Sequence, residues 1–145
     1  MHESSEDEFE RPRGQELVSR EFFGAVLRIG GVTVARESLE AALGCRLDRY
    51  ELVRVDGLHY AQMTVPDSDE LWPATLAFIE RFGVAIESLI EAKMIGGVEL
   101  DLGFAWYESD FVISHSIPSS VLAALGSSRI DFRVTFYPAP DSEQA

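Results

Sequence analysis

Between Gly96 and Pro138 the chain reads GGVELDLGFAWYESDFVISHSIPSSVLAALGSSRIDFRVTFYP, and three segments within it alternate apolar and polar residues with a period of two. Successive side chains on a strand point to opposite faces, so this alternation describes strands buried on one side and wet on the other. In the first segment Val98, Leu100, Leu102, Phe104 and Trp106 are expected to face inward, with Glu99, Asp101, Gly103, Ala105 and Tyr107 outward. Glu108-Ser109-Asp110 is expected to turn the chain into a returning strand on which Phe111, Ile113, His115 and Ile117 share a face. Pro118 then opens a short helix that Gly126 ends. The last strand directs Ile130, Phe132, Val134 and Phe136 inward and Asp131, Arg133, Thr135 and Tyr137 outward.

Upstream, a first strand from Phe23 to about Val32 carries Phe23, Ala25, Leu27 and Ile29 on one face and Val26 and Arg28 on the other, with Gly30-Gly31 ending or bulging it. A helix from Ala35 to Leu43 follows, closed by Gly44. Strands at Leu47 to Val55 and His59 to Val65 flank Asp56-Gly57, a hairpin signal that makes them antiparallel. The longest helical pattern places Leu71, Thr75, Phe78, Phe82, Ile86 and Leu89 on one stripe, with Ser68 or Asp69 as its N-cap and Gly83 as an expected kink. SLEAALG at 38–44 and SVLAALG at 120–126 echo each other, each between two strands. These elements predict an α+β two-layer sandwich, a mainly antiparallel sheet of five to six strands with helices on one face and ferredoxin-like logic.

At 145 residues the chain suits one domain, expected over 22–138 and flanked by an acidic N-terminal tail, 1–21, and a C-terminal tail, 139–145. The single cysteine, Cys45, excludes an internal disulfide, and the absence of a leader pattern or a long apolar run predicts a cytoplasmic protein with no membrane partner. A formal charge of −13 repels a phosphate backbone, so no nucleic-acid partner is expected. The charge is uneven: Arg28 to Arg54 holds five arginines against four acids, whereas Val55 to Asp110 holds eleven acids against two bases. An acidic surface suited to a basic protein follows from that bias.

The runs AVLRIGGVTVARESLEAALGCRLDRYELVRVDG, LWPATLAFIERFGVAIESLIEAKMIGGVELDLGFAWY and FVISHSIPSSVLAALGSSRIDFRVTFYP together span nearly all of 22–138. They resemble the bacterial domain-of-unknown-function family 4279, from the opening strand, glycine and short helix to the terminal aromatic strand. The sequence departs from that pattern at Arg36 and between Leu58 and Pro66. The resemblance implies a small bacterial α+β domain and carries over no catalytic residue.

Tests for chemistry return little. His2, His59 and His115 are isolated in sequence and Cys45 has no neighbouring ligand, so neither a metal nor a cofactor is expected. Cys45 follows a helix C-terminus, where the dipole opposes a thiolate. The serines form no nucleophile elbow, and the glycine pairs lack the lysine of a phosphate loop. Glu99 and Asp101, about 7 Å apart on one strand face, match a spacing found on any half-exposed strand. The constellation to follow is therefore the open sheet face, where Arg28, Glu99, Asp101, Tyr107, Asp131, Arg133 and Tyr137 mix charge with aromatics.

From these residues the expected function is a non-catalytic protein-interaction module, with an immunity-type protein that neutralises a basic partner as one form of it. The alternative is a small-ligand sensor in which Arg28 and Arg133 hold an anion. An enzyme is the third reading and requires a carboxylate or His115 with a perturbed pKa in a pocket. An exposed strand edge makes a homodimer a further expectation.

Overall fold

The computed structural model describes residues 22–107 and 114–139, with the side chain of Phe23 outside that set. Both expected tails lie outside the described residues, apart from residue 139. Within the described residues five strands and three helices follow in the order β1 (Phe22–Val32), α1 (Arg36–Leu43), β2 (Arg49–Leu52), β3 (His59–Thr64), α2 (Leu71–Glu91), β4 (Gly97–Tyr107), α3 (Ser119–Ser127) and β5 (Ile130–Ala139). The strands form one sheet in the order β2-β3-β1-β4-β5. β1 is antiparallel to β3 and to β4, β2 is antiparallel to β3, and β4 is parallel to β5.

The first four strands with α1 and α2 thus trace βαββαβ in the ferredoxin-like order, and α3 with β5 adds a further crossover on the β4 edge. The two echoed segments become α1 and α3. Each joins parallel strands, but β3 inserts between β1 and β2, whereas β4 and β5 are neighbours.

Alternation in β1 and β4 builds the core. Leu27, Ile29, Leu100 and Leu102 are fully buried, and α2 lays Phe78, Ile79, Phe82, Ile86 and Leu89 over them. Each such side chain stabilises the fold by about 1.5–3 kcal/mol before entropy is subtracted. Despite Gly83, α2 runs unbroken over 21 residues. Gly83 is where α3 comes close, because a Cβ there would overlap the Ser128 hydroxyl. Ser68 and Asp69 do not cap α2. Glu70 occupies the N-cap position without a side-chain bond, and the Ser68 hydroxyl accepts the Glu70 N–H at 3.1 Å.

The helix ends by a Schellman pattern in which Lys93, at φ 59°, takes the place usual for glycine. The Met94 N–H reaches the Leu89 carbonyl and the Lys93 N–H the Ile90 carbonyl, both at 3.0 Å. α1 ends conventionally at Gly44, φ 72°. Gly31, φ 62°, lies where β1 meets the start of β4: a Cβ there would sit 3.0 Å from the Gly96 Cα, so backbone contact as well as φ requires glycine.

Several strand expectations are corrected. The second strand is only Arg49–Leu52, and α3 continues past Gly126 to Ser127. Residues 114–118 form no strand, Phe111 and Ile113 lie outside the described residues, and β4 connects through α3 to a parallel neighbour. Trp106 is 52% exposed although it shares the inward face. Val134 and Phe136 are likewise exposed. Val134 and Phe136 lie on β5, the edge strand of the sheet, where a neighbouring strand stands on one side only and inward parity does not by itself secure burial. Conversely, Tyr107 and Ala105, expected outward, are buried.

No helix of the described residues is long and apolar enough to cross a membrane.

Candidate functional site: the open sheet face

Strand register brings the outward residues of four strands into one row. Arg28 on β1 stands opposite Gln62 on β3 and Glu99 on β4, while Asp101 stands opposite Arg133 on β5. Arg28 Nη1 donates to the Tyr60 hydroxyl at 2.9 Å and more weakly to Gln62 Oε1 at 3.5 Å. Its Nη2 donates to Asp101 Oδ2 at 3.3 Å. The Tyr60 hydroxyl donates onward to Gln62 Oε1 at 3.0 Å. On the far side of Asp101, Thr135 Oγ1 donates to Oδ1 at 2.7 Å.

Asp101 is only 6% exposed, so burying its charge requires these partners. The hydrogen bond to Tyr60, followed by Asp101, raises the Arg28 pKa above its usual value against the opposing effect of burial. Arg133 Nε donates to Glu99 Oε1 at 2.7 Å, and that bond raises the Arg133 pKa. Asp131 stands opposite Glu99, a like-charge pairing that favours Arg133 leaning towards Glu99.

A concavity of about 470 Å³ opens beside this network, lined among others by Gly24, Arg28, Thr64, Asp101, Gly103 and Tyr137. Its floor is low because Gly24 and Gly103 are register partners and neither carries a side chain. Gly24 has φ 138° next to a β-bulge, a conformation few other residues adopt.

Of the seven residues expected on this face, Arg28 and Asp101 form one ion pair and Arg133 and Glu99 a second, at neighbouring positions of the sheet. Tyr137 lines the adjoining concavity, half exposed. Asp131 is exposed and joins no ion pair among the described residues. Tyr107 is a correction: it is buried and contributes no open surface. Tyr60, Gln62 and Gly24 belong to the site although sequence reasoning passed over them. Tyr60 and Gln62 alternate with buried Ala61 and Met63 on β3, a period-two signal that identifies their face.

The remaining titratable candidates sit elsewhere. His115, outside any strand, stacks on Phe104 with ring centroids 4.2 Å apart, and burial lowers its pKa. His59 stacks on Tyr50 at 4.6 Å and is half-buried. Burial pushes the Cys45 thiol up, so its protonated form dominates at neutral pH. Among the described residues no group of three histidines, cysteines or carboxylates is placed to hold a metal.

Comparison with protein-family models, with curated proteins and with solved structures gives no match to this chain.

Proposed function

We propose that this domain is a non-catalytic protein-interaction module that docks a protein partner of basic character through the open face of its sheet, as an immunity-type protein occludes a basic cleft. The observation that carries the reading is the state of the arginines on that face. Arg28 and Arg133 are already paired with Asp101 and Glu99, so an anionic small ligand competes with a carboxylate for either one. A protein surface instead docks against the ordered side chains as they stand, with Arg133 and Tyr137 still half exposed at the rim. The face itself is nearly charge-balanced, and the net charge of −13 acts at longer range, steering a basic partner and speeding encounter.

The test is paired affinity capture from cell extract with the wild-type domain and the double variant Arg133→Ala/Tyr137→Ala. A basic protein retained by the wild type, lost from the variant and eluted by moderate salt supports the reading. Equal retention by both, or no specific retention at low salt, overturns it.

A further inference from the structure

Eight arginines fall within the described residues, and the structure sorts them sharply. Arg28, Arg36, Arg49, Arg129 and Arg133 each pair with a carboxylate. Arg46, Arg54 and Arg81 form no ion pair among the described residues, although the chain has about two acids for each base. Two of those three, Arg46 and Arg81, line the same cavity. It has a volume of about 440 Å³ and lies between the α1–β2 connection, the β3–α2 connection and the flank of α2.

The remainder of its wall is largely apolar, with Met63, Phe78, Phe82 and the protonated Cys45 thiol. Arg81 lies over the Phe82 ring, its guanidinium carbon 4.7 Å from the ring centroid, which holds the cation at the edge of that apolar wall. The position of Arg46 is set by its neighbours. Glu40 accepts the Leu47 N–H at 2.9 Å and Arg36 donates to the Leu47 carbonyl at 2.8 Å, so the residue after Arg46 is clipped to α1. Two acids also line the cavity. The Asp48 carboxylate is engaged by the Thr64 N–H, and Asp67 sits where this cavity and the concavity of the open face meet.

We infer that this cavity is a binding site for a small amphipathic carboxylate, whose charged end pairs with Arg46 and Arg81 and whose aromatic or aliphatic body packs on Met63, Phe78 and Phe82. Its volume suits a small-molecule ligand, and an apolar wall with a few convergent polar groups is the usual make-up of such sites. The planar fork of arginine matches a carboxylate. Asp48 and Asp67 nearby disfavour a doubly charged phosphate and favour a monoanion. Arg28 and Asp101 do not line this cavity, which adjoins the concavity beside them at Thr64 and Asp67, and the inference does not rest on the partner-docking reading.

The test is an amide chemical-shift titration of the full chain with 3-phenylpropanoate and with octanoate, beside the uncharged 3-phenylpropanamide. Saturable shifts at Cys45, Ala77 and Phe82 are expected for at least one carboxylate, with the amide binding about tenfold more weakly. Arg46→Gln and Arg81→Gln are each expected to weaken carboxylate binding about fivefold or more, while Arg54→Gln leaves it unchanged. An unchanged amide spectrum away from each substitution confirms that the variants fold. The inference is overturned if neither carboxylate saturates those amides by about 10 mM, if acid and amide bind alike, or if the shifts map to Gly24–Arg28 instead.

Discussion

Arg28 Nη2 lies 3.3 Å from Asp101 Oδ2, and through this contact β1 and β4 share one polar network that extends to Tyr60 on β3 and Thr135 on β5. Asp101 is the buried member and Arg28 the member in contact with water. Removing the aspartate therefore leaves a partly buried cation and a threonine hydroxyl without their acceptor.

Asp101→Ala is expected to lower unfolding free energy by about 2–3 kcal/mol, less than for a fully buried pair because Arg28 regains water. Thr135→Val, which removes one neutral donor, should cost about 1 kcal/mol. Urea titrations followed by circular dichroism measure both. A loss under about 0.5 kcal/mol for Asp101→Ala shows that the network does not hold the sheet face together.

Gly83 and Ser128 make the contact between α2 and the end of α3. Helix propensity alone predicts that Gly83→Ala stabilises by about 1 kcal/mol. Overlap of the new Cβ with the Ser128 hydroxyl reverses the sign, and a net loss of about 1 kcal/mol is expected. In a Ser128→Ala background the same change should cost less, with a coupling energy of about 0.5 kcal/mol or more in the double-mutant cycle. Additive behaviour would show that the helices move apart instead.

Burial lowers the pKa of His115, so the unfolded chain binds its proton more readily than the folded one. Stability is then highest above the unfolded value of about 6.5 and falls as the pH drops from there towards the lower folded value. Thermal unfolding between pH 7.5 and 5.5 tests this. His115→Gln should flatten the decline over that window, leaving only the carboxylate titrations that begin further into acid.

With its pKa raised by burial, Cys45 should react with a thiol-specific disulfide reagent at pH 7 several-fold more slowly than a free cysteine. In denaturant the difference should vanish. An equal rate in the folded protein would mean that the thiol is ionised or fully open.

Much of the α+β sandwich was legible in the sequence because period two and period 3.6 report directly which side of an element meets the core. Leu27, Ile29, Leu100 and Leu102, and the stripe from Leu71 to Leu89, are buried as their spacing requires. The errors fall where burial depends on something outside the element. Trp106, Val134 and Phe136 have inward parity but are exposed, the last two on the edge strand β5, and Tyr107 has outward parity but is buried. The parallel pairing of β4 with β5 was equally out of reach, because alternation reveals a strand's faces and not its direction.

The candidate sites divide in the same way. Alternation placed Arg28, Glu99, Asp101 and Arg133 on one face from sequence alone, but register decides that Arg28 reaches Asp101 and Arg133 reaches Glu99. The cavity between Arg46 and Arg81 had no sequence signature, since its walls come from segments up to 37 residues apart, from Cys45 to Phe82. Local spacing determined the elements, the core and the composition of the open face. Only the tertiary structure decided which charges neutralise one another and which stay free, because ion pairing depends on distances of a few ångströms between residues remote along the chain.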